Sequence, residues 1–500
     1  MTSPVDQVPT ELWLEIFQNL PFDSLIAVSS THRAFYNMSR HLVFAHFHFH
    51  PYASAGTTPE LPDVEHVRRA HARLCFWSSD NIAAGVRSCS VTPWSARPNS
   101  RPYSFSPPPS WTLPSVFQLL DLFVARLDWF TGLMQLYLRD VYLTQSTMTK
   151  LCSLPALTDL HIHMCSIAGG AYIDTTSLQL RVSVFEFTRR NGMDDGCTLW
   201  LPILHPETLR KLEVSANPIF FNKVMGTLPR FHRVHTLTLT MDLDKGVDNL
   251  RVLSKFPAVQ TLSLSYWRNN RFAWSNSDEA VAMGVLPVLK HYKGYFPSLR
   301  TILALPTLRR LEAFALLGSG HPANFMQQLI GLPTPFRLTV LQISFESFDH
   351  DALLLLSIHF PQLAQLRLDI HAREIAQSDT NLQATIFFKT LAYSPAVPST
   401  LERLAICWKF TPITYHVPPV PVDGKTWELS HPNLHDLPDL QLLRDSLRSR
   451  CPRLTFLWLD GHDFVLHWRK LPHGEVEKSA VSIHQAPPLR QEISDLWDLW

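Results

Sequence analysis

Five hundred residues are more than one ordinary compact core holds, so the length predicts either several domains or one elongated repeat array. An apolar content of 46% against 17% charged is a globular balance, which excludes a disordered chain. Lys+Arg is 44 and Asp+Glu is 43, so no net basic field steers in nucleic acid or an anionic membrane, and neither partner is expected.

The first residues, Met1 to Asp6, lack a basic stretch followed by an apolar core and do not read as a signal peptide. The longest leucine run, Leu353 to Leu356, is broken by Ser357 and His359 and is far short of a membrane span. The 7 cysteines never occur as Cys-x-x-Cys, which predicts reduced thiols in a cytoplasmic or nuclear protein. Proline at 38 and glycine at 17 suit a solenoid with many stiff turns and few left-handed ones.

Residues 8 to 20 predict a helix with Pro9 at its first position and Glu11 in the first turn. Leu12, Ile16 and Leu20 form one apolar stripe, and Trp13, Phe17 and Leu20 an adjacent one. Pro21 ends it. Asp23 is placed to cap a second helix and Thr31 a third, on which Phe35, Met38 and Leu42 share a face. Three such helices cannot bury a sufficient core alone, so a helix apolar over half its girth implies a second surface to pack on.

This stretch resembles the F-box family. The matching positions are Val8-Pro9-Thr10-Glu11-Leu12, Ile16-Phe17, Leu20, Leu25, Val28-Ser29, Arg33 and Phe35, over roughly residues 5 to 45. Val8 stands for the usual Leu, and Ser30-Thr31-His32 departs from the usual basic step. The resemblance implies a helical domain over 1–45 that docks on the adaptor subunit of cullin–RING ubiquitin ligases, with Pro9, Leu12, Ile16, Leu20, Leu25 and Val28 facing that adaptor. A plain N-terminal cap of the repeats is the alternative. The run Glu11 to Phe17 and Phe49-His50-Pro51 are also similar to the long, irregular F-box families of mushroom-forming fungi.

Residues 46–115 read as a junction. His46-Phe47-His48-Phe49-His50 alternates as a short strand with Phe on one face and His on the other. Its three same-face histidines suggest zinc, but no acidic or Cys ligand is near in sequence, and an exposed polar face explains the pattern equally well. A helix follows over 63–77, with Val64, Val67, Leu74 and Trp77 on one side. Seven prolines between Pro93 and Pro114 then mark a loop or spacer.

From residue 116 to 470 the unit Leu-x-x-Leu-x-Leu recurs with hydrophobic substitutions, starting at 133, 157, 182, 209, 234, 259, 308, 338, 363, 401 and 454. The first five gaps are 24, 25, 27, 25 and 25; the next, 49, hides one degenerate unit near 284–300. Proline sits two residues before several units, as at Pro155, Pro257 and Pro361, where a helix turns into a strand. The period is similar to leucine-rich repeats, which implies an α/β fold: a three-helix F-box followed by an irregular solenoid of short parallel strands and helices. The tail, 471–500, carries Leu489, Ile493, Leu496, Trp497 and Trp500 at helical spacing and reads as a cap helix.

Alternate strand positions face away from the repeat core. They nominate two substrate-binding patches: Arg403, Phe456, Trp458 and Asp460, and Tyr137 with His161 and His163. No catalytic constellation emerges. Gly424-Lys425-Thr426 lacks the glycine a phosphate loop needs, because Pro419 occupies that place. His431 and His435 lack a Glu partner, and Gly318-Ser319-Gly320 is no nucleophile elbow. The expectation is a non-enzymatic, cofactor-free substrate receptor of a ubiquitin ligase binding an unknown protein target. Alternatives are a leucine-rich-repeat interaction protein acting outside a ligase, and a metal-dependent enzyme using His46, His48 and His50.

Overall fold

A computed structural model describes residues 8–51, 64–93, 118–167, 173–188, 196–241, 252–265, 284–295, 299–314, 322–329, 332, 336–345, 350–372, 386–393, 397–410, 439–461, 464–471 and 474–480. The chain forms two compact units, residues 1–256 and 257–500. The proline-rich stretch beyond Pro93, Gly318 to Gly320, Gly424 to His435 and the tail from Leu489 lie outside the described residues.

The first unit opens with three helices, α1 (Thr10–Gln18), α2 (Phe22–Thr31) and α3 (Arg33–Val43). Pro9 and Pro21 each stand immediately before a helix, where a missing N–H costs nothing. Asp23 lies inside the first turn of α2, not at its cap. The cap of α3 is His32, whose Nδ1 accepts from the Ala34 N–H at 3.1 Å; Thr31, expected there, is the last residue of α2. The small core of these three helices centres on Phe17 and Leu25. Phe35 packs on Trp13 and Phe17, with ring centroids 4.7 and 5.5 Å away.

Helix α3 runs into strand β1 (His46–Phe49) with two residues between them. The helix α4 (Val64–Trp77) follows and buries Ala70 and Leu74, while Val64, expected on that side, is 86% exposed. The further strands are β2 (Ser88–Val91), β3 (Gln135–Arg139), β4 (Tyr142–Leu143), β5 (Asp159–His163), β6 (Ser166–Ile167), β7 (Val184–Thr188), β8 (Lys211–Ala216) and β9 (Thr236–Met241). β1, β2, β3, β5, β7, β8 and β9 pair in that order, each parallel to the next. Such pairing needs a crossover between strands, and helices Gln145–Ser153, Cys197–Ile203 and Pro218–Thr227 lie in those connections.

The sheet therefore begins at His46, not at residue 116. Phe44, Phe47 and Phe49, then Val86, Cys89 and Val91, carry the same three-then-two spacing as the later units. Segment 46–115 holds the first two strands, and the wide gaps around them conceal the repeat. Phe47 stacks on Trp77 at 4.8 Å, which ties β1 to α4. Asp140 and Met164 directly follow β3 and β5 with φ of 53° and 52°. Their N–H groups extend the ladder to His163 O and Thr188 O at 3.0 and 2.8 Å, and the chain then enters the small β4–β6 pair.

The second unit contains β10 (Thr261–Ser265), β11 (His291–Tyr295), β12 (Arg310–Phe314), β13 (Val340–Phe345), β14 (Gln365–Ala372), β15 (Arg403–Phe410), β16 (Phe456–Asp460), β17 (Val465–Leu471) and β18 (Gly474–Ala480). β10 to β16 are parallel in chain order, and β11 occupies the 284–300 interval. The last two pairings, β16–β17 and β17–β18, are antiparallel. In both units, every residue of the eleven Leu-x-x-Leu-x-Leu-like triplets is at most 7% exposed. Among the described residues, no helix is long and apolar enough to cross a membrane.

Candidate docking and binding sites

The three N-terminal helices leave apolar surface open. Leu12 is 49% and Ile16 46% exposed on one stripe of α1, while Phe17 on the adjacent stripe is 2% exposed. Pro9 is exposed, and Leu20 and Val28 are half-buried. Leu25 departs from its assigned place: it is 5% exposed and packs inside the helical group. The open apolar side chains of α2 are Phe22 and Ile26, at 56% and 43%. They stand four apart, the spacing of a helical stripe, but the motif alignment selected the neighbouring phase at Leu25 and Val28.

The proposed C-terminal patch is closed. Arg403, Phe456, Trp458 and Asp460 are 8%, 4%, 2% and 3% exposed, so they are not available as a free binding face. Ala405, Cys407, Phe456, Trp458 and Val465 form an apolar cluster there. The Arg367 guanidinium lies 5.2 Å from the Trp458 ring centroid, and Arg403 lies 4.9 Å from that of Phe456. Arg367 Nε also donates to Asp369 Oδ2 at 3.0 Å, with both side chains buried. Burial, with Arg469 and Arg310 nearby, pushes Arg403 down to about 10. Alternation assigns a side chain to a face but does not say whether that face is covered. The uninterrupted apolar runs Leu404 to Trp408 and Phe456 to Leu459 were the sequence sign of strands buried on both sides.

The other patch is assembled as a cluster. In register, Tyr137 on β3 faces His161 on β5, and His161 faces Glu186 on β7. The Tyr137 and His163 rings are 4.7 Å apart. His161 Nδ1 donates to Glu186 Oε2 at 2.7 Å, and His163 Nε2 lies 3.3 Å from Glu186 Oε1. All four side chains are half-buried. The hydrogen bond from His161 holds the Glu186 carboxyl below its ordinary value despite burial. Burial lowers His163, opposed by Glu186. Burial also raises Tyr137. Glu186 went unnamed in the sequence reading, although it fills the same outward position of the Val182 unit that Tyr137 fills in the Leu133 unit.

The histidines of β1 are arranged differently. Phe47 and Phe49 are buried, and His46, His48 and His50 are exposed on the opposite face. Burial lowers His48, and His50, His46 and Arg73 lower it further. Among the described residues, the group of His, Cys, Asp or Glu side chains close enough together to hold a cation is His161, His163 and Glu186.

Among known families, residues 5–47 match the F-box domain. F-box domains bind the adaptor subunit of SCF-type cullin–RING ligases, and the match falls on α1–α3. A search of curated proteins finds no match.

Proposed function

We propose that this chain is the substrate-recognition subunit of an SCF-type cullin–RING ubiquitin ligase. Helices α1–α3 dock on the adaptor, and the strand array behind them, an irregular leucine-rich-repeat solenoid, holds a protein target. The observation that carries this reading is the stripe of Leu12 and Ile16, open to solvent within the segment that matches the F-box domain. A monomeric soluble protein rarely leaves such side chains aligned on one face without a partner to cover them.

The chain's part is positional. By holding a target beside a ubiquitin-charged enzyme it raises the effective concentration of the acceptor lysine, and other subunits carry the chemistry. Two residues separate α3 from β1, so the docking helices join the first strand without a flexible spacer. Phe44, packed on Phe76 and Trp77 at 5.8 and 5.4 Å, fastens that joint. Co-purification with the adaptor tests the reading: wild type is captured and the Leu12→Asp/Ile16→Asp variant is not. Wild-type chain that fails to capture the adaptor would instead be an interaction protein working outside a ligase.

A further inference from the structure

We propose that His161, His163 and Glu186 form a binding site for a divalent transition-metal ion, zinc by choice of donors, on the outward face of β5 and β7. Each residue offers one ligand atom, and these atoms all lie within 4.8 Å of one another. Tetrahedral zinc, with metal–nitrogen distances of about 2.0–2.1 Å, separates its ligands by roughly 3.4 Å, so small side-chain rotations close the cluster. Parallel pairing fixes the frame: His161 and His163 stand two apart on one strand, on one face, and Glu186 is the residue opposite His161 on the next.

The donor set selects the ion. Two imidazoles and one carboxylate suit zinc and its neighbours in the first transition row; calcium and magnesium prefer all-oxygen sites. A neutral imidazole and an ionised carboxylate are the ligating forms. Two cations, Arg139 and Lys211, stand near the cluster and each also pairs with another carboxylate. Arg139 Nε lies 3.6 Å from Asp140 Oδ2, and Lys211 Nζ lies 3.5 Å from Glu213 Oε2. Three protein ligands leave a fourth position for water or a side chain of a bound molecule. Tyr137 lies beside the cluster, its ring 4.7 Å from that of His163.

The site is independent of adaptor docking, so either proposal can fail alone. The chain has 24 histidines, so background binding must be separated from this cluster. The experiment is isothermal titration of the full chain, freed of metal by chelator dialysis, with zinc chloride in the presence of a competing chelator. Visible absorption of the cobalt-loaded protein reports coordination. His163→Gln and Glu186→Gln keep side-chain bulk, and His48→Gln/His50→Gln is the control. Wild type and control should each hold one competitively bound equivalent, which weakens about a hundredfold or more in both cluster variants, since even outer-shell changes cost 10–100-fold. Thermal unfolding with and without zinc should show a stabilisation that the two cluster variants lose. If one cluster variant fails to fold, the other decides. A wild type with no equivalent that survives the chelator, or a folded cluster variant that binds zinc as wild type does, overturns the site.

Discussion

Leu12→Asp/Ile16→Asp separates docking from folding, because the two side chains point away from the core beneath them. Roughly half of each remains exposed, at 49% and 46%. Full burial of a Leu or Ile contributes about 1.5–3 kcal/mol, so a partner covering the open half gains about 1 kcal/mol from each. The double alanine variant should therefore bind the adaptor weaker by about 2 kcal/mol, or roughly thirtyfold. The aspartates add the desolvation of two carboxylates, several kcal/mol more, which carries the loss beyond about a thousandfold. The cost to the helix itself is small, about 0.5 kcal/mol per Leu-to-Asp-type change from propensity. Phe17→Ala makes the contrast: it empties a site that is 2% exposed and should destabilise the three helices by about 3–5 kcal/mol. The assay is biolayer interferometry against the purified adaptor, with circular dichroism and thermal unfolding run on the same samples. An aspartate variant that keeps wild-type helicity and wild-type affinity would refute the assignment of this stripe as the docking face.

Three further outcomes are expected. Trp458→Ala should cost about 3–5 kcal/mol in urea unfolding, because the ring is 2% exposed; a loss under about 1 kcal/mol would mean that the face is open after all. Glu312 is buried, which raises its carboxyl, but His291, Arg310 and Lys293 draw it down further, to about 2. Its folded value lies below the unfolded one, so its contribution is complete above about pH 4.5 and fades as pH falls towards 2. Glu312→Gln should thus lower urea stability at pH 7 by on the order of 2 kcal/mol, with the gap to wild type narrowing between pH 4.5 and 3; a constant gap would contradict the ion-pair account. Gly132→Ala would set a Cβ 2.5 Å from the Ala84 carbonyl oxygen and from Arg87 Nη1. Because the first is backbone, the melting point should fall by the equivalent of about 1–3 kcal/mol, and an unchanged one would show that the turn can yield.

Much of the frame was legible because it is periodic. A leucine three residues before another, and that one two before a third, marks where a strand enters the core, and the triplets from Leu133 to Leu459 are buried throughout. The same rule missed Phe44-Phe47-Phe49 and Val86-Cys89-Val91 because insertions stretch their spacing and the residues are Phe, Val and Cys instead of Leu. On α1 the exposed stripe followed from helical geometry. On α2 the choice between Leu25 and Ile26 is a rotation of 100°, and only the packing of α2 against α3 decides it. Tyr137, His161 and His163 were visible as outward positions, but Glu186 joins them only through the β5–β7 register. The patch around Trp458 was misjudged for a different reason: what covers a face is a tertiary fact, and a short strand motif does not contain it.

The reversal of chain direction at β17 and β18 has a consequence for assembly. A row of strands that all run the same way presents, at its end, a template onto which another copy can add in register, and stacked repeats are prone to it. Among the described residues, β16 is instead followed by the antiparallel strands β17 and β18, the second of which bears the exposed Glu475. β17 runs against β16 and β18 turns back to the direction of β16, and the two residues between β17 and β18 are too few for the crossover that a parallel pair needs. Among the described residues, the succession of one strand per crossover therefore gives way at that end to a hairpin.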